Sequence, residues 1–349
     1  MNRLSYAYAA QLYEELIGSE VDSPALKSKL AYSYLKMDNY TKSVEYYSKM
    51  IASSEAKPED YYNYAYVLKQ SGNYAESDKW MNKYSHTAQA DLRGQLFLEN
   101  TGYKSKIEKT APFFSLTNLD LNTEVADFGG YYNPAQNQMY FITARKKRVF
   151  VKKEWSWNAN RFLDLYSATV STDNKLGSPK RVSKVNTKFH EGPLAFSPDG
   201  KTVYFTRNNI SSGKKRRDGQ KIQNLKLYVA KVDENGKWTE EKEFPYNSKD
   251  YSVGHPVLTA DGKTMYFTRN NFVDGKKGRS GEKVILLKIL KATLVDGKWQ
   301  NVVELPFNSN EYSVAHPALS PDETTLYFAS DAKGGYGQSD LYKIDLHSD

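Results

Sequence analysis

The chain has 349 residues, 49 Lys and Arg against 41 Asp and Glu for a net charge of +8, 14% aromatic residues including 28 Tyr, and no Cys. That length admits two domains, the missing Cys excludes disulfides, thiolate zinc sites and Cys nucleophiles, and no apolar window of about 18 residues could cross a membrane. The charge is uneven: residues 1–100 hold 11 Lys and Arg against 13 Asp and Glu, so the positive excess belongs to the rest of the chain.

Met1-Asn2-Arg3 leads into a polar, tyrosine-rich stretch without the hydrophobic core of an export signal. Residues 1–84 then repeat with a period of 34: Tyr6, Tyr40 and Tyr74 are in phase, as are Ala9, Ser43 and Ser77, and Ala31 with Ala65. Small residues at such phases let paired helices approach, and larger ones fill the space between repeats, which is the tetratricopeptide pattern. Met37-Asp38-Asn39 and Ser71-Gly72-Asn73 mark the turns within hairpins, and Pro24 and Pro58 mark helix starts. The spacing predicts half a repeat over 4–18 and full repeats over about 24–53 and 58–84, followed by a linker over 85–112. Tyr32, Tyr62 and Tyr66 fall on the first helices of these repeats, where a concave groove would receive a partner peptide. Packing is the other reading of the same tyrosines.

A second repeat, of 61 to 64 residues, fills 113–349. Its centre is an aromatic pair, Tyr140-Phe141, Tyr204-Phe205, Tyr266-Phe267 and Tyr327-Phe328, with Asn122-Thr123, Asn186-Thr187, Asn247-Ser248 and Asn308-Ser309 in phase. Turns such as Ser197-Pro198-Asp199-Gly200 precede the pair, and His255-Pro256 and His316-Pro317 recur at the inner strand. Third strands are predicted at 165–168, 225–229, 284–287 and 341–344, and fourth strands after Gly236-Lys237-Trp238 and Gly297-Lys298-Trp299. Short strands at this period mean radial repetition of small sheets. The expected fold is therefore multidomain, α plus all-β: a tetratricopeptide-like helical repeat followed by a β-propeller of at least four blades of four-stranded antiparallel sheet. The blades run over about 126–186, 190–247, 253–308 and 314–349, with 113–121 as a closing strand. Either that strand completes a ring of four, or further blades follow Asp349.

Basic residues cluster between the second and third strands of the first three blades: Lys146, Lys147 and Arg148; Lys214, Lys215, Arg216 and Arg217; Lys276, Lys277 and Arg279. In a propeller these hairpins emerge on one face, where they could pool into a field that attracts an anionic partner such as an acidic protein or a cell-wall polymer. Solvated, solubilising loops are the alternative. Nucleic acid is not expected, since no reading motif accompanies the charge. His255 and His316 repeat at one blade position, which argues for a structural role; a metal site at the channel mouth, where converging blades bring imidazoles together, is the alternative, but no carboxylate or second His follows at ligand spacing. No catalytic motif is present: Gly278-Arg279-Ser280-Gly281-Glu282 lacks the last Gly of a nucleophile elbow, and there is no phosphate- or dinucleotide-binding loop. We therefore expect no catalytic residues, no metal site and no cofactor.

His190-Glu191-Gly192-Pro193 with Phe196-Ser197-Pro198-Asp199-Gly200, His316-Pro317-Ala318-Leu319-Ser320-Pro321-Asp322, Tyr327-Phe328-Ala329-Ser330-Asp331, Gly334-Gly335-Tyr336-Gly337 and Ser339-Asp340-Leu341-Tyr342 form a WD-like, TolB-type repeat signature. With the helical start, the chain resembles the N-terminal part of OmpA-family envelope proteins of Bacteroidetes. The resemblance implies a periplasmic, outer-membrane-associated protein without enzymatic activity. Its partners would be envelope proteins, including outer-membrane or type IX secretion components, with a separate domain holding peptidoglycan. The sequence departs from that pattern in showing no export signal, no later blades and no OmpA-like end. The rival reading is the propeller portion of a peptidase or glycan-cleaving enzyme whose catalytic domain lies elsewhere.

Overall fold

A computed structural model describes residues 5–19, 21–109, 115–145, 154–211, 214–215, 223–277, 283–335 and 339–347. They divide into two compact units: 1–116 with 150–161, and 117–149 with 162–349.

The first unit is helical: α1 (Tyr6–Gly18), α2 (Pro24–Lys36), α3 (Tyr40–Ile51), α4 (Pro58–Gln70), α5 (Tyr74–Thr87), α6 (Leu92–Glu99) and α7 (Tyr103–Lys109). The starts are encoded locally. Pro24 and Pro58 occupy first-turn positions that lack a backbone partner anyway. Asn39 and Asn73, 34 residues apart, accept the Lys42 and Glu76 amide protons as equivalent N-caps of α3 and α5. The 34-residue phases are packing positions. Ala31 and Ala65 are fully buried, and the Ser43 and Ser77 hydroxyls donate to their carbonyls at 2.9 and 2.7 Å. A larger residue at either alanine would push the hairpin open. Tyr47, Met50, Val67 and Leu68 fill the space between repeats.

The stretch 85–112, expected as a linker, instead holds α6 and α7. Asp91 caps α6 by accepting the Arg93 amide proton at 2.9 Å. Gly94 lies so close to α5 that a Cβ there would sit 2.9 Å from the Ser85 Cα. Residues 154–161 also belong to the helical unit. They form a tight turn in which the Trp155 amide donates to the Asn160 carbonyl at 2.7 Å. Trp157 meets Tyr6 edge-on at 4.9 Å and donates its indole N–H to the Lys36 carbonyl, while Trp155 stacks on it at 5.6 Å.

The second unit is a four-bladed β-propeller. Blade one comprises β1 (Asp127–Asn133), β2 (Gln138–Thr143), β3 (Asp164–Thr169) and β4 (Lys180–Arg181). Blade two has β5 (Glu191–Phe196), β6 (Thr202–Asn208), β9 (Leu225–Val232) and β10 (Trp238–Glu243); the small pair β7 (Ile210–Ser211) and β8 (Lys214–Lys215) extends its middle hairpin. Blade three has β11 (Val253–Leu258), β12 (Thr264–Lys277), β13 (Lys283–Val295) and β14 (Lys298–Glu304); blade four has β15 (Val314–Leu319), β16 (Thr325–Ser330) and β17 (Asp340–Asp345). Adjacent strands within the blades are antiparallel.

Strand alternation puts the two aromatics of each pair on opposite faces. Tyr140 shares a core with Phe205, Tyr204 with Phe267, and Tyr266 with Phe328. The tryptophans after the Gly-Lys turns join the same layers: Trp299 donates to the Tyr204 hydroxyl at 3.2 Å and meets its ring edge-on at 5.8 Å. The recurring asparagines explain themselves too. Asn186, Asn247 and Asn308 each accept the amide proton of a third-strand residue (Leu165, Leu227, Ile289) and donate to the carbonyl of that same residue. Each carboxamide substitutes for the ladder partner that the short fourth strand does not supply.

Three expectations change. Residues 115–121 form no strand, and Leu116 is 88% exposed. Blade four is accordingly three-stranded among the described residues; 113 and 114 lie outside them. In blade three the position equivalent to Leu227 is Ile289, not the predicted 284–287, because β12 and β13 run long beyond the other hairpins. Blade four leaves one face bare: Leu341 is 87% exposed where Leu165, Leu227 and Ile289 are fully buried, and Tyr327 is 44% exposed where Tyr140, Tyr204 and Tyr266 are buried.

Asn247→Ala should cost about 1–3 kcal/mol, because it strands the buried Leu227 amide, while the Leu227 carbonyl keeps the Phe244 amide. Asn122, which bonds only the Asn118 side chain in an exposed setting, should change stability by less than about 0.5 kcal/mol when replaced by Ala. Urea unfolding of the two variants measures the difference.

Candidate functional site

The three groove tyrosines stand on α2 and α4, all half-buried. Tyr32 lies 6.2 Å from Tyr6, with the Lys36 ammonium 5.2 Å from its ring centre. Burial, then the Glu59 charge, raises its phenol pKa. Tyr66 is raised first by burial and then by Tyr62 and Asp38. Tyr62 is more committed to packing. Its ring lies 5.3 Å from Tyr84 and is capped at 4.0 Å by the Arg93 guanidinium. Arg93 is itself held by Glu59 at 2.7 and 3.0 Å and by Asp91 at 3.0 Å. Its hydrogen bonds hold the Asp91 carboxyl well below the usual range.

Two aromatic–cation clusters escaped the sequence reading. Tyr61 stacks on Trp80 at 5.8 Å with the Lys83 ammonium 4.5 and 5.0 Å from the two rings. Tyr34 donates to Glu14, and Lys42 reaches both. Burial, then the bond to Glu14, pushes the Tyr34 phenol up to about 12. Only Trp80 and Lys83, three residues apart on α5, left a local signal, one too common in this chain to single out; the other partners come from different helices.

On the propeller, Lys146, Lys147, Arg148, Arg216, Arg217 and Arg279 lie outside the described residues. So do the side chains of Lys214, Lys215, Lys276 and Lys277, whose backbone runs in β8 and β12. Arg145, at the start of the first basic run, is a structural residue: it bonds Asp127 at 2.9 Å, the Thr143 hydroxyl at 3.1 Å and the Leu121 carbonyl at 3.0 Å.

The inner strands carry a repeated device. Each pairing of first with second strand breaks register between 128 and 131, 191 and 194, 254 and 257, or 315 and 318. Gly129, His255 and His316 occupy these bulges with φ of +65°, +55° and +56°. The His255 amide donates to the Thr206 hydroxyl at 3.0 Å, and the His316 amide to Thr268 at 3.1 Å, in each case on the preceding blade. The His-Pro pairs therefore stitch neighbouring blades, as their structural reading expects. Their rings also meet edge-on, with centres 4.4 Å apart.

Beside the bulge of blade two, Glu191 is 1% exposed. Its Oε1 accepts from the Thr187 amide at 2.9 Å and hydroxyl at 2.8 Å, and its Oε2 has no partner among the described residues. Burial pushes this carboxyl up to about 8. Asp127 occupies the same register in blade one and accepts the same pair of bonds from Thr123. Burial raises it too, but the hydrogen bonds from Thr143, Thr123 and Arg145 outweigh that and hold it at about 2. In blade two Arg207 stands in the register of Thr143 and is forked onto Glu241, and Asn209 stands where blade one has Arg145.

No family profile matches the chain, and no curated protein sequence matches it. Among solved structures it is similar to a puromycin-hydrolyzing peptidase of Mycobacterium tuberculosis, at 14% identity and a TM-score of 0.37 over 64% of this chain and 28% of that one. It is also similar to a protein assigned as TolB from Agrobacterium tumefaciens (17%, 0.35, 61% and 59%). An α-L-arabinofuranosidase from Lactobacillus brevis gives 13% and 0.35, over 63% and 67%. The chain spans less than two-thirds of the peptidase and of the TolB-like protein, and likenesses this distant carry no functional argument.

Because the folded-state pKa of Glu191 is raised, its contribution to stability is complete below the ordinary value of 4.5, declines as pH rises, and is gone above about 8. Stability should fall across that window by up to about 1.4 kcal/mol per pH unit from this group. Glu191→Gln should flatten the decline in urea unfolding followed over pH.

Proposed function

We propose that this chain is a non-enzymatic scaffold or adaptor of the periplasmic cell envelope. It binds partner proteins through its helical repeats and the basic face of its propeller, and ties an outer-membrane or secretion assembly to the cell wall through a domain outside this sequence. The observation that carries the reading is the placement of Tyr32 and Tyr66 on α2 and α4, the first helices of successive repeats, half-buried and still partly open to solvent. Tyrosines fixed by packing below and exposed at the rim lose little conformational freedom on binding, which suits them as interface anchors. The basic runs offer a second, longer-ranged attraction to an anionic partner, and the sequence resemblance supplies the compartment.

The test is capture of envelope proteins by the purified chain from a detergent-solubilised envelope fraction. Tyr32→Ala with Tyr66→Ala should weaken capture by roughly tenfold or more without loss of folding. Lys214→Glu, Lys215→Glu, Arg216→Glu and Arg217→Glu together should weaken it and reduce its sensitivity to salt. Unchanged capture in both variants, or turnover of a peptide or glycan by the chain, would overturn the reading.

A further inference from the structure

We propose that His255 and His316 form a two-imidazole site for a borderline divalent transition-metal ion such as Zn2+, Ni2+ or Cu2+. Gly129 takes a left-handed backbone at this bulge position in blade one without steric cost, and blade two places Pro193 there. Two consecutive blades place a histidine there instead, at φ of +55° and +56°. That strain is of the kind that persists where a side chain is needed. The backbone of each is pinned by the bond from its amide to Thr206 or Thr268, so the two rings are delivered to one place by separate blades. There they touch, with centres 4.4 Å apart and planes at 84°.

The ring nitrogens of both make no hydrogen bond among the described residues. His255 is half-buried and His316 exposed, so the pair is reached from solvent. Imidazole pairs suit zinc, nickel and copper, and reject magnesium and calcium, which take oxygen. Among the described residues no cluster of three or more His, Cys, Asp or Glu side chains is poised for a metal. The ion would therefore be held by two protein ligands, with water completing its coordination and open to exchange for a ligand group.

The test is calorimetric titration of the chain with Zn2+ and Ni2+ at neutral pH, alongside the EPR spectrum of added Cu2+. One equivalent should bind, and the copper spectrum should carry nitrogen coupling from two imidazoles. His255→Asn and His316→Asn keep a residue at ease in left-handed backbone, so the fold should survive. Each should weaken uptake by about tenfold or more; His86→Asn should not. Absence of uptake, uptake that persists in the double variant, or a copper spectrum without paired nitrogens would overturn the proposal, and the spectrum decides even if a variant fails to fold.

Discussion

The propeller depends on one constraint: a strand shows successive side chains to opposite faces, so a Tyr-Phe pair at the middle of each second strand arms both sides of the blade at once. The tyrosine of one blade enters the same core as the phenylalanine of the next, at each of the three junctions. Each fully buried aromatic contributes about 1.5–3 kcal/mol, and the tryptophan brought by the fourth strand closes the layer from outside. Where no further blade follows in this chain, Tyr327 and Leu341 stay in solvent. The contrast shows that burial at these positions comes from the neighbour and not from the blade itself.

The helical unit obeys the same logic with a different period. A serine hydroxyl closes each hairpin onto an alanine carbonyl, and the space between hairpins is filled by Tyr47, Met50 and Leu68. Neither unit can bury its apolar faces in a single repeat. Among the described residues, both therefore present surfaces whose chemistry is set by residues the packing leaves over: tyrosines and lysines on the helices, bulge histidines on the propeller.

What was legible in the sequence was whatever repeats. The 34-residue phases, the aromatic pairs and the Asn-Thr or Asn-Ser marks name positions where one physical task recurs, with Asn122 and Tyr327, in exposed settings, as the exceptions. What was not legible occurs once. The short helix α6 depends on a single Asp91 cap and on the close approach that Gly94 permits. Trp157 anchors residues distant in sequence to α1 and α2 through one ring contact and one hydrogen bond. Residues 115–121 resemble an outer strand in sequence but form none. Glu191 and Asp127 have the same register and equivalent threonine partners, but Glu191 is the more deeply buried and lacks the bonds that Thr143 and Arg145 give Asp127, which no local pattern announces. Of the candidate site residues, Tyr32 and Tyr66 retain a rim, whereas Tyr62 lies beneath Arg93, a contact between helices that no local pattern encodes.

The propeller holds its surfaces at fixed spacing only as far as the blade junctions are interlocked. The most direct measurement is a double-mutant cycle on Tyr204 and Trp299, each replaced by Leu singly and together, with stability read from urea unfolding. Interlocked blades predict a coupling of about 0.5–1.5 kcal/mol between the two. Additivity within about 0.3 kcal/mol would mean that the aromatics fill their own sheets independently, and would contradict the account.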